Sequence, residues 1–274
     1  MGKFDGVLIC TDLDGTVYRN DKTISPENRE AIEYFKREGG YFTFITGRMP
    51  YYAQYAYEAI RPNVPFGCIN GGGLYDGERG EYVWKCVMPD TVWPLLEHVD
   101  KCLPRVGIQV TCFESSYFCK MNDAMLAFRK AAKLPELSCP YREVPEPVAK
   151  IIFASRDEAE IVETERILRA HPLADSFEFI RSERTLFEIL PKGVHKGLAL
   201  SKLVEHLQLD INKTVAIGDY NNDIGMFRAA KLGIAVANAC KDAIDAADTV
   251  TVSNEEHAIA QVIADLECGK YKGF

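Results

Sequence analysis

Asp12 and Asp14 stand two residues apart in "DLDGT" (12–16), directly after the apolar run "GVLICT" (6–11). Two carboxylates at a strand end repel each other and lose hydration, so the pattern calls for a compensating cation or a chemical use for the strain. Three later segments carry groups that answer them. "ITGR" (45–48) holds Thr46, Gly47 and Arg48, "GVHKGLAL" holds Lys196, and "GDYNND" (218–223) holds Asp219, Asn222 and Asp223. Crowded carboxylates suit a hard divalent cation, and this oxygen set suits Mg²⁺. Thr46, the Gly47 amide, Lys196 and the Asn222 side-chain amide are donors, which phosphate oxygens require. Phosphoryl transfer asks mainly for such positioning and charge neutralisation. Asp12 then qualifies as a nucleophile toward phosphorus. Asp14, on another side of the loop, qualifies as the group that protonates the leaving oxygen and later deprotonates water.

These groups meet only if the fold delivers them to one place. Short continuous apolar runs, the pattern of strands buried on both faces, alternate with helical patterns, which predicts an α/β sheet with mostly parallel strands. Strands are expected at 6–11, 41–46, 66–70, 214–219, 233–237 and 248–252. Between the first two lies a helix opened by Ser25 and Pro26 and closed by Gly39-Gly40. "YYAQYAYEAI" (51–60) predicts another helix, with Tyr51, Tyr55 and Tyr52 on one face and read as packing residues. In such sheets the loops leaving the carboxyl ends of the strands collect the functional groups. Asp12 follows an expected strand, Thr46 and Asp219 stand at the ends of two others, and Lys196 begins an expected helix.

Between about 89 and 188 the rhythm changes. "VGIQVTCF" and "SYFCKM" read as an antiparallel pair, and "AKIIFA", "FEFIR" and "TLFEIL" as further strands, with helices at "DTVWPLLEHVDKCL", 123–133 and "DEAEIVETERILRA". This predicts an α+β module inserted into the α/β domain, with the core formed by 1–88 and 189–274.

Bulk properties set the outer bounds. A chain of 274 residues with 47% apolar content has material for a sizeable core, and a net charge of −8 argues against nucleic acid as a partner. The nine cysteines form no CxxC pair, which suits reduced thiols in a cytoplasmic protein. No run approaches the ~20 apolar residues of a membrane span, so no membrane partner is expected.

Taken in order, "DLDGT" (12–16), "ITGR" (45–48), Lys196 in "GVHKGLAL" and "GDYNND" (218–223) resemble the four motifs of the haloacid dehalogenase-like superfamily of phosphotransferases, specifically its Cof-type sugar-phosphatase branch. The resemblance spans nearly the whole chain. It implies a Rossmann-like three-layer core with an α/β cap inserted between the second and third motifs, Mg²⁺ as cofactor, and an aspartyl-phosphate intermediate. Carried onto this chain, Asp12 is the nucleophile and a metal ligand. Asp14 is the general acid/base, with its backbone carbonyl also on the metal. Asp219 is a direct ligand, and Asp223 a ligand through water or an anchor behind it. Thr46, Gly47, Lys196 and Asn222 hold the phosphate. Members that cleave carbon–halogen bonds lack an acid/base Asp at the position of Asp14, so its presence favours a phosphate ester. The resemblance also implies cap residues that select the substrate, sought around Glu114–Asp123. Arg48 and Asn70 are weighed as turn and helix-start residues against a place facing the core–cap junction, and His195 as surface. The expected function is Mg²⁺-dependent hydrolysis of small phosphomonoesters, sugar phosphates above all, by a monomer or small homo-oligomer. A sugar phosphomutase of the same superfamily is the alternative. A phospho-accepting signalling domain, about half this length and without a cap, is the more distant one.

Overall fold

The run Leu8–Thr11 forms strand β1, and side chains alternate across it as a pleated strand requires. Leu8 and Cys10 face one apolar cluster, which places Ile9 on the opposite face. The computed structural model describes residues 2–274, and the chain divides into two units, Met1–Lys85 with His195–Phe274, and Cys86–Val194.

In the first unit, β1 is followed by α1 (Pro26–Arg37), β2 (Tyr41–Phe44), α2 (Pro50–Ile60), β3 (Phe66–Cys68), β4 (Gly73–Asp76) and β5 (Glu81–Lys85). The Ser25 hydroxyl caps α1 by accepting from the Asn28 N–H at 3.2 Å. In the second unit come α3 (Trp93–Cys102), β6 (Gly107–Cys112), β7 (Ser116–Lys120), α4 (Asp123–Ala131), β8 (Val148–Ala154), α5 (Glu158–Arg169), β9 (Phe177–Glu183) and β10 (Leu186–Pro191). The chain then returns to the first unit with α6 (Lys196–Leu207), β11 (Thr214–Gly218), α7 (Ile224–Ala229), β12 (Leu232–Ala235), α8 (Lys241–Ala246), β13 (Thr249–Val250) and α9 (Ala258–Glu267).

The main sheet has the order β13-β12-β11-β1-β2, with every pairing parallel. Helices α1 and α9 pack together, as do α6 and α7. Leu200 and Leu203 of α6 and Met226 and Phe227 of α7 bury against Leu8, Cys10 and Ala216. Phe35 of α1 meets Phe42, the register partner of Ile9, on the other face. The architecture is a Rossmann-like core with a second, inserted α+β unit. That inserted unit is an antiparallel sheet, β7-β6-β8-β10-β9. Leu95, Leu96 and Val99 of α3 and Ile161 and Leu168 of α5 bury against Ile108, Val110, Ile151 and Phe153. The opposite sheet face carries a buried Lys150–Glu188 ion pair at 2.8 Å.

Two local expectations are corrected. The run 66–70 does not extend the main sheet as a full strand. Gly67 bridges Ile45 in parallel, and β3 then pairs with β4, and β4 with β5, in a separate antiparallel sheet. Ile69 and Asn70 end it by adopting left-handed φ values of 55° and 52°. The aromatic face of α2 is not a packing face. Tyr51 and Tyr55 are 67% and 54% exposed, while Ala53, Ala56 and Ile60 turn inward. These small side chains fill the inward face, Tyr51 and Tyr55 are left outside, and Tyr52 is half-buried. No helix among the described residues is long and apolar enough to cross a membrane.

Candidate active site

The order of the main sheet reverses between β1 and β11, the place where an open parallel sheet leaves a crevice at its carboxyl edge. Thr11 is in register with Ile217 on one side and Phe44 on the other. The residues just beyond therefore emerge together: Asp12 from β1, Thr46 from β2 and Asp219 from β11. The Asp12 N–H donates to the Ile217 carbonyl at 2.8 Å, which fixes the last step of the strand before the chain turns.

That turn, Leu13–Val17, is tight and has Gly15 at φ +82°. A Cβ on Gly15 would lie 2.4 Å from Asp219 Oδ2, so only glycine admits this approach. The Thr16 hydroxyl donates to Asp219 Oδ1 at 3.0 Å. The Asn238 side chain donates to the Gly15 carbonyl at 2.8 Å. "DLDGT" is thus a device that aims two aspartates and supports a third from the far half of the chain.

Asp12, Asp219 and Asp223 bring one carboxylate oxygen each within 4.8 Å of one another. Lys196, the first residue of α6 and only 1% exposed, donates to Asp12 Oδ1 at 2.5 Å and to Asp223 Oδ1 at 2.6 Å. His195 caps that helix, its Nδ1 accepting from the Leu198 N–H at 3.3 Å. Asp223 Oδ2 accepts from the Asp219 and Tyr220 N–H groups, each at 3.0 Å. Asp223 is therefore held from three sides. Burial pushes Asp12 up to about 7 against the pull of Lys196, with repulsion from Asp223 and Asp219 adding to it. Burial and Asp223 likewise push Asp219 up to about 6. For Lys196 burial disfavours the charge, but the two carboxylates outweigh it and hold the ammonium protonated.

This donor set fits a hard divalent cation. Three carboxylates and one ammonium, all charged, leave two negative charges, and every available ligand atom is an oxygen. Burial raises the carboxyl groups and their mutual repulsion adds to it, and a dication favours the ionised forms against both.

Asp14 takes a different direction from Asp12, as expected. Its carboxylate meets Arg48 and Lys22, the latter at 3.0 Å. Burial would raise it, but the Arg48 guanidinium and the Lys22 ammonium hold the carboxyl below its ordinary value. Its side chain stands outside the cluster of three, so any share it takes in holding a metal falls to its backbone.

The expected phosphate donors occupy the neighbouring rim. Thr46 is buried, and its hydroxyl accepts from the Arg48 N–H at 3.3 Å. The strained turn at Ile69-Asn70 is fastened to this loop, since Ile69 N–H donates to Arg48 O and Asn70 N–H to Thr46 O. This sets the Asn70 side chain beside Gly47, where a Cβ would come 2.8 Å from Asn70 Oδ1, and Asn222 Nδ2 donates to the same oxygen at 3.5 Å. Asn70 thus links Gly47 to Asn222, and Arg48 reaches Asp14. The sequence offers both as turn or helix-start residues or as residues facing the core–cap junction, and neither reading contains these roles. The signal was their place at the end of an expected strand. Thr16 and Lys22 were missed with less to point at them.

The chain matches the family model for haloacid dehalogenase-like hydrolases over residues 9–263. The putative phosphatase YkrA of Bacillus subtilis is 26% identical, over 96% of this chain and 98% of that protein. The 5-amino-6-(5-phospho-D-ribitylamino)uracil phosphatase YwtE of the same organism is also 26% identical, over 96% and 99%. A haloacid dehalogenase-like hydrolase from Bacteroides thetaiotaomicron, solved by crystallography, shares 27% identity and superposes with a TM-score of 0.83 over 95% of this chain and 99% of that one. The four motif loops, their meeting at the carboxyl edge of the sheet and the match across nearly the whole length lead to one conclusion: the chain belongs to the haloacid dehalogenase-like hydrolases.

Proposed function

We propose that this phosphatase hydrolyses small phosphomonoesters of sugars and related polyols, with Mg²⁺ as cofactor and Asp12 as the residue that becomes phosphorylated. The observation that carries the reading is the grouping of Asp12, Asp219 and Asp223 around the Lys196 ammonium. The polyol class is supported by the relative whose name specifies a phosphate on a ribityl chain.

Asp12, Asp219 and Asp223 would hold the ion, with the Asp14 backbone carbonyl. Magnesium, when bound, neutralises phosphate charge and shields it from the attacking carboxylate. Lys196, Thr46, Gly47 and Asn222 bind and orient the phosphoryl oxygens. One oxygen of Asp12 attacks phosphorus as the ester oxygen departs, and Asp14, which must first take up a proton against the hold of Arg48 and Lys22, gives that proton to the departing oxygen. Asp14 then takes a proton from water, which attacks the phosphorus of the acyl phosphate. Asp12 is regenerated and inorganic phosphate leaves.

The test is phosphate release from a panel of hexose, pentose, pentitol and nucleotide monoesters, with Mg²⁺ and with chelator. Expected are metal-dependent turnover, its loss in Asp12→Asn, and phosphorylated Asp12 in acid-quenched enzyme. Turnover that survives in Asp12→Asn overturns the reading. Isomerised sugar phosphate without net phosphate release would make the protein a mutase.

A further inference from the structure

In the inserted unit, β7 is an edge strand, and the connector after α4 runs along it. Tyr117 and Leu137 form a parallel bridge, the Phe118 N–H donates to Leu137 O at 2.8 Å, and Ser138 Oγ donates to Phe118 O at 3.0 Å. Cys119 and Cys139 directly follow these contacts, each two positions beyond the bridge in its own segment. The Cys119 S–H donates to its own strand, at the Tyr117 carbonyl, 3.6 Å away, and burial holds both thiols above their ordinary value. Neighbouring strands lie about 4.8 Å apart, inside the range of about 4.4–6.8 Å between Cα atoms that a disulfide spans. Both thiols are partly accessible.

A third sulfur lies near, but Cys112 is buried and its thiol donates to the Glu146 carbonyl at 3.7 Å. Among the described residues, the aspartate group is the only set of three metal-ligating side chains whose atoms come within 4.8 Å of one another. The three cysteines therefore do not make a three-sulfur metal site. What the geometry offers is a pair.

We propose that Cys119 and Cys139 form a reversible disulfide that ties the connector to the edge of the inserted sheet when the protein meets a low-molecular-weight disulfide. Cys139 loses its proton and attacks one sulfur of the small disulfide, releasing one small thiolate. Cys119 then loses its proton and attacks the Cys139 sulfur, releasing the second. The protein gains one S–S bond and loses two S–H bonds, and the small disulfide is reduced to two thiols. The product closes the loop 119–139, which contains α4, and fixes a segment that is otherwise held at β7 by the Tyr117–Leu137 bridge and the Ser138 hydroxyl.

The test uses the full chain, incubated with oxidised glutathione, alkylated at the remaining free thiols, digested without reduction and mapped by mass spectrometry. The expected result is a peptide linking Cys119 to Cys139, with both thiols fully recovered on reduction. Cys112→Ser retains the link; Cys119→Ser and Cys139→Ser each lose it. A link through Cys112, a mixed disulfide on Cys139 that Cys119 never resolves, or no link when exposed Cys102 and Cys268 have reacted overturns the proposal. The readout is independent of phosphatase activity, so it stands or falls separately from the proposed function.

Discussion

Both oxygens of the Asp14 carboxylate are held by the Arg48 guanidinium, Nη2 at 2.7 and 2.9 Å and Nε at 3.2 Å. The contact joins the loop after β2 to the loop after β1. It fixes the direction of the carboxylate on which the proposed proton transfers depend. The pair is about two-fifths exposed on each side, so its part in stability is small, up to about 1 kcal/mol after solvent screening. Its part in orientation is larger. Arg48→Ala is expected to leave Tm nearly unchanged while lowering kcat about tenfold or more, with KM moving less. Arg48→Lys keeps the charge but not the planar fork, and is expected to recover little of the loss. Steady-state kinetics of the two variants decide it, and an undiminished kcat in Arg48→Ala would show that Asp14 needs no such guide.

Lys196 answers two carboxylates at once, and none of the three groups has much access to water. Removing the ammonium leaves Asp12 and Asp223 buried and uncompensated, a change that costs about 3–5 kcal/mol in comparable buried pairs. Lys196→Met, which nearly preserves volume, is expected to show that loss in denaturant unfolding without metal. Millimolar Mg²⁺ is expected to restore part of it, because a dication supplies the missing positive charge. A loss below about 1 kcal/mol would mean that the carboxylates take up protons instead and that the ion pair contributes little.

The core was legible because its signals are local. Apolar runs buried on both faces, a Ser25-Pro26 helix start and acidic loops at strand ends are all written within a few residues of each other. The same locality made Asp12, Asp14, Lys196, Asp219 and Asp223 readable as a group once the strands were ordered. What escaped depends on contacts remote in sequence. The β4–β5 hairpin at 73–85 lacks a clean alternation, and its partner β3 is only three residues long. Arg48 and Asn70 acquire their meaning from side chains more than thirty residues away, and no spacing rule reaches that far. The α2 tyrosines misled because an aromatic stripe at helical spacing usually points inward. Here Ala53 and Ala56 occupy that face, and only the fold reveals it.

Gly15 offers a test of how tightly the first loop and Asp219 are matched. A methyl group there meets Asp219 Oδ2 and also forces an L-residue to φ +82°. The backbone cost alone is about 1–2 kcal/mol. Gly269→Ala is a control that carries only this cost, since its φ is +72° and nothing lies within 4 Å of the added atom. Both variants are expected to lose stability. Gly15→Ala alone is expected to weaken Mg²⁺ binding, about tenfold or more, because Asp219 must move to make room. Metal titration by calorimetry separates the two, and equal affinities would show that the loop yields without disturbing the carboxylate.

The raised carboxyl groups of Asp12 and Asp219 have a consequence for stability. In the unfolded chain both return to the ordinary aspartate value of 3.8, whereas burial and mutual repulsion hold them at about 7 and about 6 in the folded protein. Between those limits the folded chain binds more protons than the unfolded chain. The contribution of these two groups to stability therefore falls as pH rises from the unfolded value through the folded ones. A divalent cation competes with those protons and favours the ionised carboxylates, so its stabilisation runs the other way. The shift in Tm produced by Mg²⁺ is expected to be small at about pH 5 and clearly larger at about pH 8. Asp219→Asn removes one of the two titrating groups and one ligand, so it is expected both to flatten the metal-free decline and to reduce the Mg²⁺ shift. Thermal unfolding of the two proteins across that range, with and without Mg²⁺, measures both effects. A Mg²⁺ shift that does not change with pH would place the ion away from these carboxylates.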